Sequence, residues 1–326
     1  MVQASLNQPA VLVTGVNGFI GNALCEALLC SGHVVRGALR SAYSGITAVE
    51  SQVVGEINGC TDWSEALRNI DVVIHLAARV HVMDDQSADP LAEFRRINVD
   101  GSLNLAKQAA WAGVKRLIYL SSVKVNGEYT LAGHPFKESD IANPQDAYGL
   151  SKFEAEQGLL LIAQETGLEV VIIRPPLVYG QGVKANFASM MRAVKRGLPL
   201  PLAAIHNSRS FVYVGNLVSL IATCIQHPAA VNEVFLVSDG CDLSTTQLLK
   251  ACATALGVKS RLWHVPQRLI ESLAALVGKR DVAQRLCGNL QADITKAQSL
   301  LGWAPPIAIA EGLKATALGL LKSTHN

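Results

Sequence analysis

The sequence predicts a doubly wound α/β protein: a parallel sheet with helices on both faces, followed by a smaller, mostly helical C-terminal lobe. Three observations carry this reading. From Ala10 to about Pro175, apolar runs of strand length alternate with stretches of helical period. The run Val72–Ala77 is almost wholly apolar, as a parallel strand buried on both faces requires. A glycine-rich turn, Gly15 to Gly21, joins the first strand directly to the first helix. After Pro176 the pattern changes, so the division is placed between residues 1–178 and 179–326, with a strand returning to the main sheet from within 210–240.

Each element has its own signal. Ala10–Thr14 reads as a strand, Phe19–Ser31 as a helix stopped by Gly32, and Val34–Leu39 as the second strand. Thr61–Asn69 is expected to be a short helix. Asp89-Pro90 is an N-cap followed by proline at the first helical position, opening a helix to about Ala112. Leu117–Ser121 is a further strand. A long helix from about Asp146 to Thr166 ends at Gly167, and Val170–Arg174 is a buried strand stopped by Pro175-Pro176. One helix, Phe187–Arg196, is expected among frequent glycines and prolines, and helices dominate from Thr245 onward.

Composition excludes several classes. The chain has 326 residues, with 28 Lys and Arg against 26 Asp and Glu, a net charge of +2. That balance gives no footprint for nucleic acid. Half of the residues are hydrophobic and 17% are charged, which excludes a disordered chain. Seven scattered cysteines without a C-x-x-C argue against a disulfide framework or zinc ribbon and suit a reducing cytoplasm. Met1–Pro9 lacks the pattern of a signal peptide. Ser210–Asn232 is uncharged and long enough to span a bilayer, but Gly215, Asn216, Gln226, His227 and Pro228 interrupt it. A short strand and a buried helix are expected there, with no membrane insertion.

The glycine turn has the spacing G-x-x-G-x-x-G. Glycines let the backbone approach a pyrophosphate, whose charge then sits at a helix N-terminus. The second strand ends Arg36-Gly37-Ala38-Leu39-Arg40-Ser41, without the carboxylate that accepts a ribose 2′-hydroxyl in NAD sites. Arg40, with Arg36 as a second candidate, suits a 2′-phosphate, so NADP(H) is favoured over NAD(H). Tyr148 and Lys152 stand one helical turn apart. A tyrosine titrates near ~10, and a neighbouring cation brings it toward useful acid–base work. Ser122 follows a strand end at the carboxyl edge of the sheet, where ligands bind.

Taken in chain order, these features resemble the extended short-chain dehydrogenase/reductases, the branch of nucleotide-sugar epimerases, reductases and dehydratases built on a Rossmann-type sheet. The resemblance rests on TGVNGFIG at 14–21, HLAA at 75–78, Asn98-Val99-Asp100-Gly101, YLSS at 119–122, YGLSK at 148–152 and RPPLVYG at 174–180. It implies catalysis by Ser122, Tyr148 and Lys152. It implies dinucleotide contacts from Gly15, Asn17, Gly18, Phe19, Ile20, Gly21, Arg40, Glu56, Ile57, Leu76, Ala77, Ala78, Asn98, Lys152 and Pro175. Substrate contacts are expected from Lys124, Asn186 and Arg209, with Arg280 or Arg285 as a second diphosphate arginine. Leu290 falls where some 4-epimerases carry a larger tyrosine, and a smaller residue there leaves room for a 2-acetamido group. Asp293-Ile294-Thr295-Lys296 resembles the family's helix-start motif and is read as a cap.

Val123-Lys124-Val125-Asn126 lacks the acidic residues that dehydratases and decarboxylases of the branch carry beside the catalytic serine, and no cysteine stands nearby for carbon epimerisation. The favoured reaction is C4 reduction of a UDP-4-keto-6-deoxy-(N-acetyl)hexosamine by NAD(P)H, as in O-antigen and lipopolysaccharide sugar biosynthesis. The alternative is a UDP-hexose 4-epimerase that holds NAD tightly, and a minor one is a non-catalytic nucleotide sensor. The family also implies a homodimer through a four-helix bundle of the helices near 90–112 and 146–166. His75 is expected to be a satisfied core histidine, while His81 and Lys124 follow strand ends and can face the crevice. Asp84-Asp85 lacks further ligands at metal spacing, so no metal is expected. Trp111 and Trp303 are expected in helix packing.

Overall fold

The structure is a computed structural model that describes residues 8–42, 49–80 and 89–322. Among these, the strands in chain order are β1 (Val11–Thr14), β2 (Val35–Leu39), β3 (Glu50–Val53), β4 (Val72–His75), β5 (Arg116–Leu120), β6 (Glu169–Arg174), β7 (Leu177–Tyr179), β8 (Phe211–Tyr213) and β9 (Val234–Leu236). The helices are α1 (Phe19–Cys30), α2 (Pro90–Phe94), α3 (Gly101–Trp111), α4 (Ala147–Thr166), α5 (Ala185–Lys195), α6 (Val214–Gln226), α7 (Thr245–Ala255), α8 (Gln267–Leu276), α9 (Arg280–Cys287), α10 (Thr295–Leu301) and α11 (Ile309–Lys322).

Seven strands form one parallel sheet in the order β3-β2-β1-β4-β5-β6-β9. Chain order reverses between β1 and β4, and that switch opens a crevice at the carboxyl ends of the strands. Alternate residues of each strand serve opposite faces. Val11, Val13, Ile74, Ile118 and Ile173 pack with α1 and α6. Leu12, Val73, Leu117, Tyr119 and Ile172 pack with α3 and α4 through Leu105, Ala155 and Leu159.

Side-chain caps set the helix ends that matter to the crevice. Asp89 accepts from the Ala92 amide at 3.0 Å, with Pro90 at the first helical position. Asp146 accepts from the Gly149 amide at 2.7 Å, and Gly167, at φ 80°, ends α4 in the left-handed region that favours glycine. Between α2 and α3 the helix loosens into a π-turn, Arg95–Asp100, which carries the buried Asn98.

Several expectations need correction. Thr61–Asn69 is a series of turns, in which Asp62 bonds the Ser64 amide at 2.9 Å and Asn69 takes φ 57°. The buried Trp63 and Leu67 anchor these turns to the sheet without a continuous helical ladder. β3 escapes a hydrophobicity reading because Glu50-Ser51-Gln52-Val53 is a polar edge strand, held by backbone pairing to β2. Trp111 is 79% exposed at the end of α3, whereas Trp303 is buried and donates from Nε1 to the Ser219 hydroxyl at 3.2 Å. Within 210–240, β9 joins the main sheet in line with the expected returning strand, while β8 pairs with β7. His81 and Asp84-Asp85 lie outside the described residues.

The lobe packs α5, α7 and α11 around Tyr179, Phe187, Phe211, Leu248 and Leu313. Asp239 ties it to the sheet. One of its oxygens accepts from the Tyr179 hydroxyl at 2.7 Å, the other from the Tyr213 amide and the Asn216 side chain at 2.8 and 2.7 Å. Among the described residues no helix is long and apolar enough to cross a membrane.

Beneath the crevice lies a buried ion pair. Arg174 at the end of β6 donates to Glu156 on α4 at 2.6 Å and to the Asn126 side chain at 3.0 Å, and Ser121 donates to the same carboxylate. Removing one partner of such a pair strands the other charge in a low dielectric. Arg174→Ala is therefore expected to lose about 3–5 kcal/mol of unfolding free energy. Urea denaturation checks this, and a loss below ~1 kcal/mol, the scale of an exposed pair, contradicts it.

Candidate active site

The glycine turn folds tightly against the chain that leaves β4. Gly15 adopts φ +72°, and a Cβ there would stand 3.0 Å from the Ala77 amide nitrogen. At Gly21 a Cβ would lie 2.1 Å from the Gly15 carbonyl oxygen, so no larger residue fits. Gly18 is the N-cap of α1, with no side-chain cap and no acid in the first turn, which leaves the helix's first amides for an anion. Asn17 and Gly18 are exposed, and Phe19 and Ile20 half-buried. The clearances and the uncapped helix fit the pyrophosphate of a dinucleotide.

A buried polar chain fixes the other wall. Thr14 Oγ1 accepts from the amides of Leu76 and Ala77 at 3.1 and 3.0 Å and lies 2.7 Å from His75 Nδ1. Ser102 gives its proton to the Asn98 carbonyl at 2.7 Å, so His75 Nε2, 2.9 Å away, carries the hydrogen toward Ser102. Burial pushes His75 down to about 3, and it stays neutral as a structural residue. Asn98 bonds Arg79 through its amide nitrogen and carbonyl and donates to Ser151 at 3.0 Å, joining the loop with Leu76, Ala77 and Ala78 to α4. Pro175 is buried, and its carbonyl accepts from the Val123 amide at 3.0 Å.

The ribose end differs from expectation at Arg36. Its guanidinium donates to the carbonyls of Ala66 and Arg68 and to Glu50, so it braces the turns after β3 rather than a phosphate. Arg40 is exposed. Glu56 is also exposed and is held by Arg96 at 3.0 Å to each oxygen, with its carboxyl lowered by that pairing and by the field of Arg40. Ile57 is half-buried against the α3 side of the sheet.

On α4, Lys152 is buried and donates from Nζ to the Leu120 carbonyl at 2.8 Å and the Tyr119 hydroxyl at 3.1 Å. It lies 6.0 Å from the centre of the Tyr148 ring. Burial lowers its ammonium to about 7, opposed by the charge of Glu156 one turn further on. Tyr148 moves the other way, up to about 12, because burial and the Asp146 carboxylate disfavour the phenolate, while the Ser122 hydroxyl hydrogen-bonds in its favour. The expected lowering of the tyrosine by the neighbouring Lys152 is outweighed here by burial and the Asp146 carboxylate, which favour the protonated phenol. Ser122 closes β5 into a short 3₁₀ turn, accepting from the Lys124 amide at 3.2 Å.

The expected substrate residues are placed unevenly. The Lys124 ammonium lies between Glu128, at 3.0 Å, and Asp146. Arg209 is half-buried and donates to the Gly288 carbonyl at 3.0 Å; among the described residues no carboxylate pairs with it. Asn186 is exposed in the first turn of α5, and Arg280 and Arg285 are exposed on α9. No described contact joins these three to Tyr148 or Arg209. Leu290 is packed in a small cluster with Val123 and Leu236 instead of standing open to the crevice. Asp293 bonds the Thr295 amide at 2.8 Å at the start of α10, as a cap does. Sequence reasoning missed Tyr119 and the charge of Asp146, although an Asp two residues before the tyrosine is a visible cap signal.

A depressed lysine has a pH signature. Between about 7 and the ordinary lysine value, the unfolded chain holds a proton that the folded chain lacks, so stability rises with pH there. Below 7 the cost of burying the charge is fully present. The stability of the native chain minus that of Lys152→Met is expected to be flat below pH 7 and to rise above it. A difference flat across the whole range in chemical denaturation contradicts this placement.

Comparison with known proteins accords with the geometry. The NAD dependent epimerase/dehydratase family matches residues 11–238. A UDP-glucose 4-epimerase of Vibrio cholerae is 49% identical over 318 residues, 97% of each chain. The solved UDP-glucose 4-epimerase of Thermotoga maritima with UDP-glucose is 25% identical, with a TM-score of 0.77 over 97% of this chain and 99% of that one. MoeE5 in complex with UDP-glucose and NAD is 26% identical, with a TM-score of 0.76 over the same shares. Nothing in these relatives supports a preference for NADP. The chain belongs to the NAD dependent epimerase/dehydratase family, of the extended short-chain dehydrogenase/reductase type, and is an NAD(P)-dependent epimerase or reductase.

Proposed function

We propose that the chain is a UDP-hexose 4-epimerase that keeps its NAD through the catalytic cycle. The observation that carries this reading is 49% identity along 97% of the Vibrio cholerae UDP-glucose 4-epimerase, on a chain that keeps Ser122, Tyr148 and Lys152 around one crevice. A bound dinucleotide supplies hydride exchange at sugar C4. The chain's own part is to hold and move the proton on the C4 oxygen: Tyr148 exchanges it, Ser122 orients it, and Lys152 holds the ribose side of the site. Gly15, Asn17, Gly18, Phe19, Ile20 and Gly21 hold the pyrophosphate, with Leu76, Ala77, Ala78, Asn98 and Pro175 on the facing wall. Arg40, Glu56 and Ile57 border the adenosine end.

For the substrate, Arg209 is a half-buried cation that no carboxylate among the described residues pairs with, which suits a diphosphate. Asn186 and Arg280 join it when the lobe closes on substrate, and Lys124 reaches the sugar from beside Ser122. The lobe from residue 179 onward is the substrate-binding unit. Two copies pair through α3 and α4, covering Trp111 and Leu161, both more than half exposed.

One observation favours the C4-reductase reading, with a UDP-4-keto-6-deoxy-hexosamine in surface-polysaccharide synthesis. β2 ends without the carboxylate that accepts a ribose 2′-hydroxyl in NAD sites. Denaturing the purified enzyme and identifying the released nucleotide separates the two. Near-stoichiometric NAD is expected; an empty site that takes NADPH in preference to NADH establishes the reductase instead.

Two variants test the acid–base assignment. Tyr148→Phe is expected to bind the dinucleotide as before and lose about 10²–10⁴-fold in kcat, and full turnover contradicts the role. Asp146→Asn keeps a helix cap but removes the anion that disfavours the phenolate. The acidic limb of its kcat/KM profile for UDP-hexose, along which Tyr148 becomes the base, is expected at lower pH than in the native enzyme, and an unmoved limb speaks against this electrostatic control.

A further inference from the structure

Helix α8 is turned inside out. Its apolar residues Leu269, Leu273, Leu276 and Val277 recur at the spacing of one helical face, and each is at least half exposed, Leu276 to 82%. None of the helix's residues is buried, and its half-buried residues are Gln267, Ile270, Ala274 and Ala275. Trp263, 66% exposed, stands just before the helix. An amphipathic helix ordinarily packs its apolar stripe on the core, and among the described residues none covers this one.

Charge narrows what that covering is. Residues 259–285 hold six Lys and Arg, among them Arg261, Arg268, Lys279 and Arg285, against Glu271 and Asp281. The chain's net charge is only +2, so this short segment is cationic and the remainder is net negative. A second copy meeting the same face brings two cationic rims together, which disfavours self-pairing. An apolar stripe flanked by cations, with a tryptophan at its edge and a helix of only about 15 Å, has the make-up of a segment that lies in a lipid–water interface.

We propose that α8 docks the enzyme on an anionic lipid surface, with Leu269, Leu273, Leu276 and Val277 in the acyl boundary and the flanking cations on the headgroups. This is contact from one side, because no described helix is long and apolar enough to cross a bilayer. The docking helix is close to the crevice in structure: Gln267 donates to the Cys287 carbonyl at 3.4 Å, and the next carbonyl, of Gly288, receives Arg209. The inference does not depend on which C4 reaction the enzyme performs.

The test is co-sedimentation of the purified enzyme with vesicles of phosphatidylcholine alone or of equal parts phosphatidylglycerol and phosphatidylcholine. The native enzyme is expected to pellet with the anionic vesicles at low salt, to stay in solution with the neutral ones, and to be released by high salt. The double variant Leu273→Glu, Leu276→Glu is expected to lose at least about tenfold in vesicle affinity, with its mass in solution and its kinetics on soluble UDP-hexose unchanged. The proposal is overturned if the native enzyme ignores anionic vesicles or the variant still pellets. It is also overturned if the variant's defect is instead a changed oligomeric mass, which assigns the face to a protein partner or second copy, or a raised KM, which assigns it to closure over the enzyme's own site.

Discussion

The burial of one ammonium group constrains the whole site. Lys152 sits in the protein interior, where a charge without partners is costly, and the partners it finds are the Leu120 carbonyl and the Tyr119 hydroxyl at the carboxyl end of β5. Strand carbonyls run out of ladder partners at a sheet's end, so this is where a buried donor can be satisfied. Meeting that demand fixes how far α4 sits along β5. Tyr148 then falls one turn earlier, beside Ser122, and Glu156 one turn later, against Arg174 and Ser121. Three side chains at helical spacing are thereby registered against the carboxyl ends of β5 and β6. The cap at Asp146 and the left-handed Gly167 set where the helix starts and stops.

The same packing separates the titrations of the two central groups. Burial lowers the lysine toward neutrality and raises the tyrosine, and Asp146 adds to the second effect. Lys124 partly neutralises Asp146, which gives the non-catalytic neighbours of Tyr148 a say in how readily it gives up its proton. Across the crevice, the Thr14–His75–Ser102–Asn98 chain does no acid–base work of its own. It holds the β4 loop against the glycine turn, so that the surface offered to a dinucleotide is made of backbone in a fixed place.

Much of this was legible in the sequence, for identifiable reasons. The glycine turn, the caps at Asp89 and Asp146, the stop at Gly167 and the spacing of Tyr148 and Lys152 are local signals, and local signals survive folding. What was not legible depends on distant neighbours. β3 is a polar edge strand whose existence rests on backbone pairing with β2, and the turns over Thr61–Asn69 follow from anchoring Trp63 and Leu67 to the sheet. Arg36 reads as a phosphate ligand until the carbonyls of Ala66 and Arg68 are seen to claim it. Trp111 is expected in helix packing but stands exposed at the end of α3.

The central claim is that the crevice between the glycine turn and Tyr148 exchanges hydride at C4 of a UDP-hexose without releasing it to solvent. The most direct test follows a deuterium placed at C4 of UDP-glucose through conversion by the purified enzyme. The account predicts that UDP-galactose forms with the deuterium still at C4, because the label is lifted and returned within one site. Loss of the label to water during conversion, or no conversion and no label movement with cofactor supplied, would contradict it.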